Sequence, residues 1–203
     1  MRDRWYGDNR DLVKWATLIH LARANRVGTI LQVALYRQDE ASRLLKDDNP
    51  IAFPPAVRRH FPRNLDDISR LAREARVTIE VFKEPFARPS TAYFESLAKR
   101  VDTLHPRRLI VFLDPDTGMA PTTSDCRHVR RTELATVFSR LRPQDWLVLY
   151  QHRQLFRKNW VEENSKKFLS WLPEGRSEVN MFSSPIAKDV IFFAAQKTGS
   201  RTR

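Results

Sequence analysis

The stretch Arg107 to Gly118, RRLIVFLDPDTG, constrains this chain more than any other. Leu109 to Leu113 is an unbroken apolar run, rich in branched side chains and too short for a helix. Such a run reads as a strand buried on both faces, in the middle of a parallel sheet. Asp114-Pro115-Asp116-Thr117-Gly118 then stops it, because Pro has no N–H for a ladder and Gly tolerates positive φ. Two carboxylates are left at the strand's C-terminal end, the end that faces the ligand crevice in open α/β sheets.

The rest of the chain alternates around that strand. Asp8 to Ala22 carries Leu12, Trp15, Ala16 and Ile19 at helical spacing, with Asp8 as N-cap and Asp11 in the place of a capping-box acid. Thr29 to Leu35 reads as the first buried strand, Leu65 to Ala75 as a short helix and Val77 to Phe82 as the next strand. Ser90 caps a helix with Phe94, Leu97, Ala98 and Val101 inward. Ser124 or Asp125 caps another that carries Leu134, Val137, Phe138 and Leu141. Trp146 to Tyr150 is a further buried strand, and Trp160 to Leu172 a helix whose Trp160, Phe168 and Trp171 spacing favours core over base stacking. Val179 to Phe182 and Val190 to Ala195 close the chain as a pair of strands. The predicted fold is α/β, a Rossmann-like three-layer sandwich with a mostly parallel sheet and an antiparallel C-terminal hairpin. It forms one domain over residues 1–203, with an irregular insertion at about 36–62, where Asp47-Asp48-Asn49-Pro50 and Pro54-Pro55 break any pattern, and a basic C-terminal tail.

The net charge of +12 is spread along the chain rather than held in a tail, which points to a polyanionic partner, nucleic acid first, DNA or RNA. The single cysteine, Cys126, excludes an internal disulfide and a CxxC-type zinc site. With no apolar run long enough to span a bilayer, the expectation is a soluble, cytoplasmic protein without a membrane partner. There is no P-loop and no nucleophile-elbow motif.

Candidate site residues gather where strands end. Asp114 and Asp116 project to one side of an extended backbone, so in a site they would hold Mg²⁺ or share a proton, and removing either charge would relieve repulsion; in a plain turn Asp114 would cap its own backbone and Asp116 would be solvated. His152, after the next buried strand, is the best acid/base or metal-ligand candidate, because imidazole titrates near neutrality. Asp8, Asp11 and Lys14 share a helical stripe, as site residues or as a cap beside an exposed cation. His128 and Glu133 do not share one helical face. Arg127, Arg130, Arg131, Arg153, Arg157 and Lys158 follow two successive strands and would ring the crevice with cations for phosphate, or form a solvated face.

From Leu109 onward, the order of strand, acidic-Pro turn, helix, strand, helix and closing hairpin resembles the second half of a class I S-adenosylmethionine-dependent methyltransferase. LDPDTG stands where enzymes of that class that methylate base amino groups carry Asp-Pro-Pro and an aromatic, and YGDNRDLVKW resembles the opening of the ribosomal RNA adenine N6-methyltransferases. The resemblance implies a methyltransferase-like fold, S-adenosylmethionine (SAM) as cofactor, and Lys14 and Asp114 lining the cofactor and substrate site, with Asp8 and Asp11 beside them. Two positions differ. ALYRQDE after the first strand has no glycine, where a close approach to the cofactor asks for one, and Thr117 stands in the aromatic's place. The expected function is a nucleic-acid-acting enzyme on this fold, a divergent methyltransferase. The alternatives are a metal-dependent nuclease or phosphodiesterase using Asp114 and Asp116, and a binding module without chemistry.

Overall fold

In the computed structural model, the described residues are 8–35, 44–46, 49–51, 68–105, 107–121, 127–153, 158–173 and 179–199. The chain runs α1 (Asn9–Ala24), β1 (Thr29–Val33), β2 (Leu44–Lys46), β3 (Asn49–Ile51), α2 (Ser69–Ala75), β4 (Thr78–Phe82), α3 (Thr91–Leu104) and β5 (Leu109–Leu113). Then come β6 (Gly118–Met119), β7 (His128–Val129), α4 (Arg131–Arg140), β8 (Trp146–His152), α5 (Trp160–Trp171), β9 (Val179–Phe182), a 3₁₀ turn (Pro185–Ala187) and β10 (Val190–Gln196).

Six strands form the main sheet in the order β4-β1-β5-β8-β10-β9. β1 pairs in parallel with β4 and β5, and β5 with β8, whereas β10 is antiparallel to both β8 and β9. This is a Rossmann-like α/β fold with a mostly parallel sheet and an antiparallel C-terminal hairpin. The central run Leu109–Leu113 is entirely shielded, each residue 0 % exposed. Covering both faces of a parallel sheet requires helices on both, and the side-chain alternation sorts them. Leu31, Val33, Val111, Leu113, Leu147 and Leu149 face a core shared with α3, α4 and α5. Ile30, Ile110, Phe112, Trp146, Val148 and Tyr150 face the opposite core, under α1 and α2.

From β1 the chain moves to β4 on one side, then returns across the sheet to β5 on the other. The C-terminal ends of β1 and β5 therefore bracket the topological switch point, where the two crossovers part and leave a crevice.

Local differences from the sequence expectations have physical causes. Leu44–Lys46 and Asn49–Ile51 pair as an antiparallel hairpin across the Asp-Asp-Asn-Pro stretch that was expected to be irregular. Ser90 occupies the N-cap of α3 but caps nothing; its hydroxyl donates to Glu133, which also accepts from Arg88 and, at 2.8 Å, from the Arg130 amide. Glu133 is thus a buried clamp between the starts of α3 and α4. Asp8 does cap α1, accepting from the Arg10 and Asp11 amides at 2.8 and 3.1 Å, while Asp11 turns to Lys14. Trp160 and Phe168 are core residues. Ser124, Asp125 and Leu65 lie outside the described residues. Among the described residues, no helix is long and apolar enough to cross a membrane.

Candidate functional site

A cleft of about 360 Å³ opens at the C-terminal ends of β5 and β8, beside the start of α1. Strand register explains what it holds. Phe112 pairs with both Gln32 and Val148, so one step of two residues farther along the same face brings Asp114 beside Tyr150, under α1. The Asp114 amide still donates to the Val33 carbonyl at 3.0 Å, which extends the β1 ladder to the lip of the switch point.

Asp114 is 4 % exposed and Lys14 3 %, and the Lys14 ammonium lies 3.0 Å from Asp114 Oδ2. Gln32 Nε2 donates to the same oxygen at 2.9 Å, and Asp11 forms a second ion pair with Lys14. Burial alone would draw the Lys14 pKa down, but the charges of Asp114 and Asp11 outweigh it and the net direction is upward. Lys14 is therefore a fixed ammonium at neutral pH, unfit to accept a proton. The exposed cation that the sequence also allowed is a buried one, because Asp8, Asp11 and Lys14 lie along the helix stripe that faces the end of the sheet.

The Asp114–Gly118 turn is pinned from β8. Gln151, 1 % exposed, accepts from the Met119 amide at 2.9 Å and donates to the Thr117 and His152 carbonyls at 3.0 and 2.8 Å. Gly118 has φ +114°, and a Cβ there would fall 2.3 Å from Gln151 Oε1, so both backbone conformation and close approach demand glycine. The Thr117 amide and hydroxyl both donate to the Arg127 carbonyl, at 3.2 and 2.9 Å, which closes the loop on β7.

On the far wall, Arg10 donates from Nε and one terminal nitrogen to Asp189 Oδ2 at 3.1 and 2.6 Å, and His152 Nε2 lies 3.1 Å from that oxygen. The Arg10 hydrogen bond holds the Asp189 carboxyl below its ordinary range, and the same contact raises Arg10. His152 Nδ1 faces the Arg153 carbonyl at 3.1 Å. Both ring nitrogens are thus turned to acceptors, and the ring forms part of the cleft wall.

The structure brings Asp8, Asp11, Lys14, Asp114, Asp116, Arg127 and His152 to one cleft, joined by Arg10, Pro115, Thr117 and Tyr150. Asp114 is ion-paired with Lys14, and Asp116 lines the same cleft. Among the described residues, no group of three or more His, Cys, Asp or Glu side chains could hold a metal ion. Arg130, Arg131 and Arg153 are exposed, with Arg130 and Arg131 opening α4 and Arg153 next to His152. Lys158 lines a separate depression with Glu162, Lys166 and Met181. His128 is half-buried on β7, and Arg157 and Cys126 lie outside the described residues. Sequence reasoning missed Arg10, Asp189 and the site role of Tyr150; for Tyr150 the signal was present, since it lies two residues from His152 on the same strand face.

The end of β1 is also informative. Leu35 is 1 % exposed with φ +44°, the left-handed conformation that glycine would favour. It belongs to the apolar cluster that holds Phe82, Phe86 and Tyr93.

No protein-family model matches the sequence, and no curated protein does. Solved structures of similar outline include a putative methyltransferase from Thermobifida fusca, 12 % identical over 93 % of this chain and 80 % of that one, with a TM-score of 0.41. A DUF574 family protein from Streptomyces avermitilis is 11 % identical over 93 % of this chain and 82 % of that one, TM-score 0.45. The N-methyltransferase NodS from Bradyrhizobium japonicum is 12 % identical over 95 % and 99 %, TM-score 0.41. The fold itself is read from the strand order and register above.

Proposed function

We propose that this cleft is the active site of a nucleic-acid-acting enzyme, a divergent SAM-dependent methyltransferase directed at a base amino group. The observation that carries the proposal is the Asp114 carboxylate, buried at the switch point and held on Oδ2 by Lys14 and Gln32 while the residue lines the cleft. A carboxylate fixed in this way accepts an N–H from a target amine and aims its lone pair, so that catalysis is largely positioning. Lys14 holds Asp114 in place through their ion pair and takes no proton itself. The exposed Arg127, Arg130, Arg131 and Arg153 supply cations for the phosphate backbone.

The donor set suits the amino-acid end of the cofactor. Asp8, Asp11, Asp114 and Asp116 line the cleft against Arg10, Lys14 and Arg127, an excess of carboxylates that favours an ammonium or sulfonium, while Arg10 is engaged by Asp189 and Asp8. At the end of β1, buried Leu35 replaces a glycine cradle, so the fit is confined to the cleft side. When bound, the cofactor supplies the electrophilic methyl group. Metal-assisted cleavage has less support, since no group of three or more His, Cys, Asp or Glu gathers among the described residues.

Titration calorimetry with SAM, run beside transfer of a labelled methyl group to single-stranded RNA and DNA, tests the proposal. Binding and transfer are expected in the native protein, and transfer is expected to vanish in Asp114→Ala. No heat up to millimolar cofactor together with no transfer would end the methyltransferase reading, and retention of nucleic acid in a gel shift would then leave a binding module.

A further inference from the structure

Tyr150 has a place in the cleft that the reaction above does not use. It is 9 % exposed, its ring packed edge-on to Phe192 at 5.7 Å, and it stands beside Asp114 on the neighbouring strand. Among the described residues its hydroxyl makes no hydrogen bond, although Tyr150 lines the cleft and the hydroxyl is not among the atoms sealed from solvent. A desolvated phenol without a partner is costly in a pure core, where one hydrogen bond is the rule. Burial first, and the Asp114 charge next, push its ionisation far above the ordinary phenol range, so it remains a donor at every physiological pH.

We infer that Tyr150 is a positioning and specificity residue, whose hydroxyl and the Asp114 carboxylate together read a ligand edge with a hydrogen-bond acceptor next to an N–H donor. Adjacent strands in register place a donor beside an acceptor, about 4.8 Å apart at the backbone. The complementary edge has a ring nitrogen next to an exocyclic amine, as adenine and cytosine do. Hypoxanthine and uracil present the reverse, a ring N–H beside a carbonyl, which would set oxygen against carboxylate and leave the phenol with a donor. This inference rests on the reading of the cleft as a base-binding site, and it adds the residue that separates amino bases from carbonyl bases.

The test is calorimetric titration of the full chain with AMP, IMP, CMP and UMP, repeated on Tyr150→Phe, which keeps the ring on Phe192 and removes only the hydroxyl. The native protein is expected to prefer AMP to IMP and CMP to UMP, and the variant to lose about fivefold of that preference, the worth of one net hydrogen bond. 1-Deaza-AMP, whose ring acceptor is replaced by C–H, should bind the native protein weaker than AMP by a similar factor and the variant no weaker. A merely structural tyrosine would lower affinity for all four nucleotides alike. If the native protein shows the preference but neither Tyr150→Phe nor 1-deaza-AMP alters it, the role of Tyr150 is overturned while the base-binding reading stands. If the native protein binds none of the four, or all four equally, both fall.

Discussion

Lys14 and Asp114, separated by 100 residues in sequence, join helix α1 to the end of the central strand through a 3.0 Å ion pair whose side chains are 4 % and 6 % exposed. Such a pair is weak evidence for net stability, because desolvating two charges offsets most of their attraction. Losing one partner is another matter. Lys14→Met would strand Asp11 and Asp114 together and should cost about 3–5 kcal/mol. Asp114→Asn leaves Lys14 with Asp11 and should cost less, about 1–3 kcal/mol. Urea unfolding of both variants checks the order. A rise in midpoint for Asp114→Asn would show that repulsion from Asp116 outweighs the Lys14 contact.

Gly118→Ala should destabilise by about 1–3 kcal/mol, from the left-handed backbone and the displacement of Gln151. Gln151→Ala removes the clash and leaves the backbone cost, while giving up the three hydrogen bonds that pin the turn. In a double-mutant cycle the two substitutions should be sub-additive. Simple additivity, measured by denaturant midpoints, would mean that Gln151 does not constrain position 118.

The sheet was legible because its signal is local. Short apolar runs bounded by turn residues mark the strands, and each strand predicted outside the irregular stretch is found within two residues of its place. The site was legible in part, because strand ends and one helix stripe are also local patterns; these gave Asp114, Asp116, His152, Asp8, Asp11 and Lys14. What pairs with what was not. Whether Asp114 meets Asp116 or Lys14 depends on how α1 lies on the sheet, and Asp189 reaches Arg10 and His152 only because β10 inserts between β8 and β9. Those are consequences of strand order, which no spacing within one segment encodes.

The Arg10–Asp189 contact gives a pH dependence with a definite sign. Its hydrogen bond lowers the folded-state pKa of Asp189, burial opposes this, and the charges of Arg10 and His152 add to it. A lowered carboxyl contributes stability above its unfolded value, near 3.9 on average, and loses it as pH falls through the folded value below that. At 36 % side-chain exposure the effect is small. The melting-temperature difference between the native protein and Arg10→Gln should therefore stay level from about pH 7 to about pH 5 and shrink below about pH 4. A difference that grew toward acid would reverse the sign and exclude this pair as its source.

The cationic rim should show itself in salt dependence. Phosphate neutralisation releases counterions, so the logarithm of affinity falls linearly with the logarithm of salt concentration, by about 0.7 for each phosphate contacted on a single strand and about 0.9 on a duplex. Arg127 lines the cleft, Arg130 and Arg131 open α4, and all three are exposed. Replacing the three together with alanine should reduce the slope by about 2 to 3 and weaken binding by a similar factor on every sequence, because phosphate contacts carry no base information. Lys158 is the internal control. It is just as exposed but lines a different depression, so Lys158→Ala should leave the slope unchanged. Fluorescence anisotropy with a labelled oligonucleotide across a salt series measures all of these. Equal slopes for the native protein and the triple variant would take the rim out of nucleic-acid binding and leave the net charge of +12 as a matter of solubility.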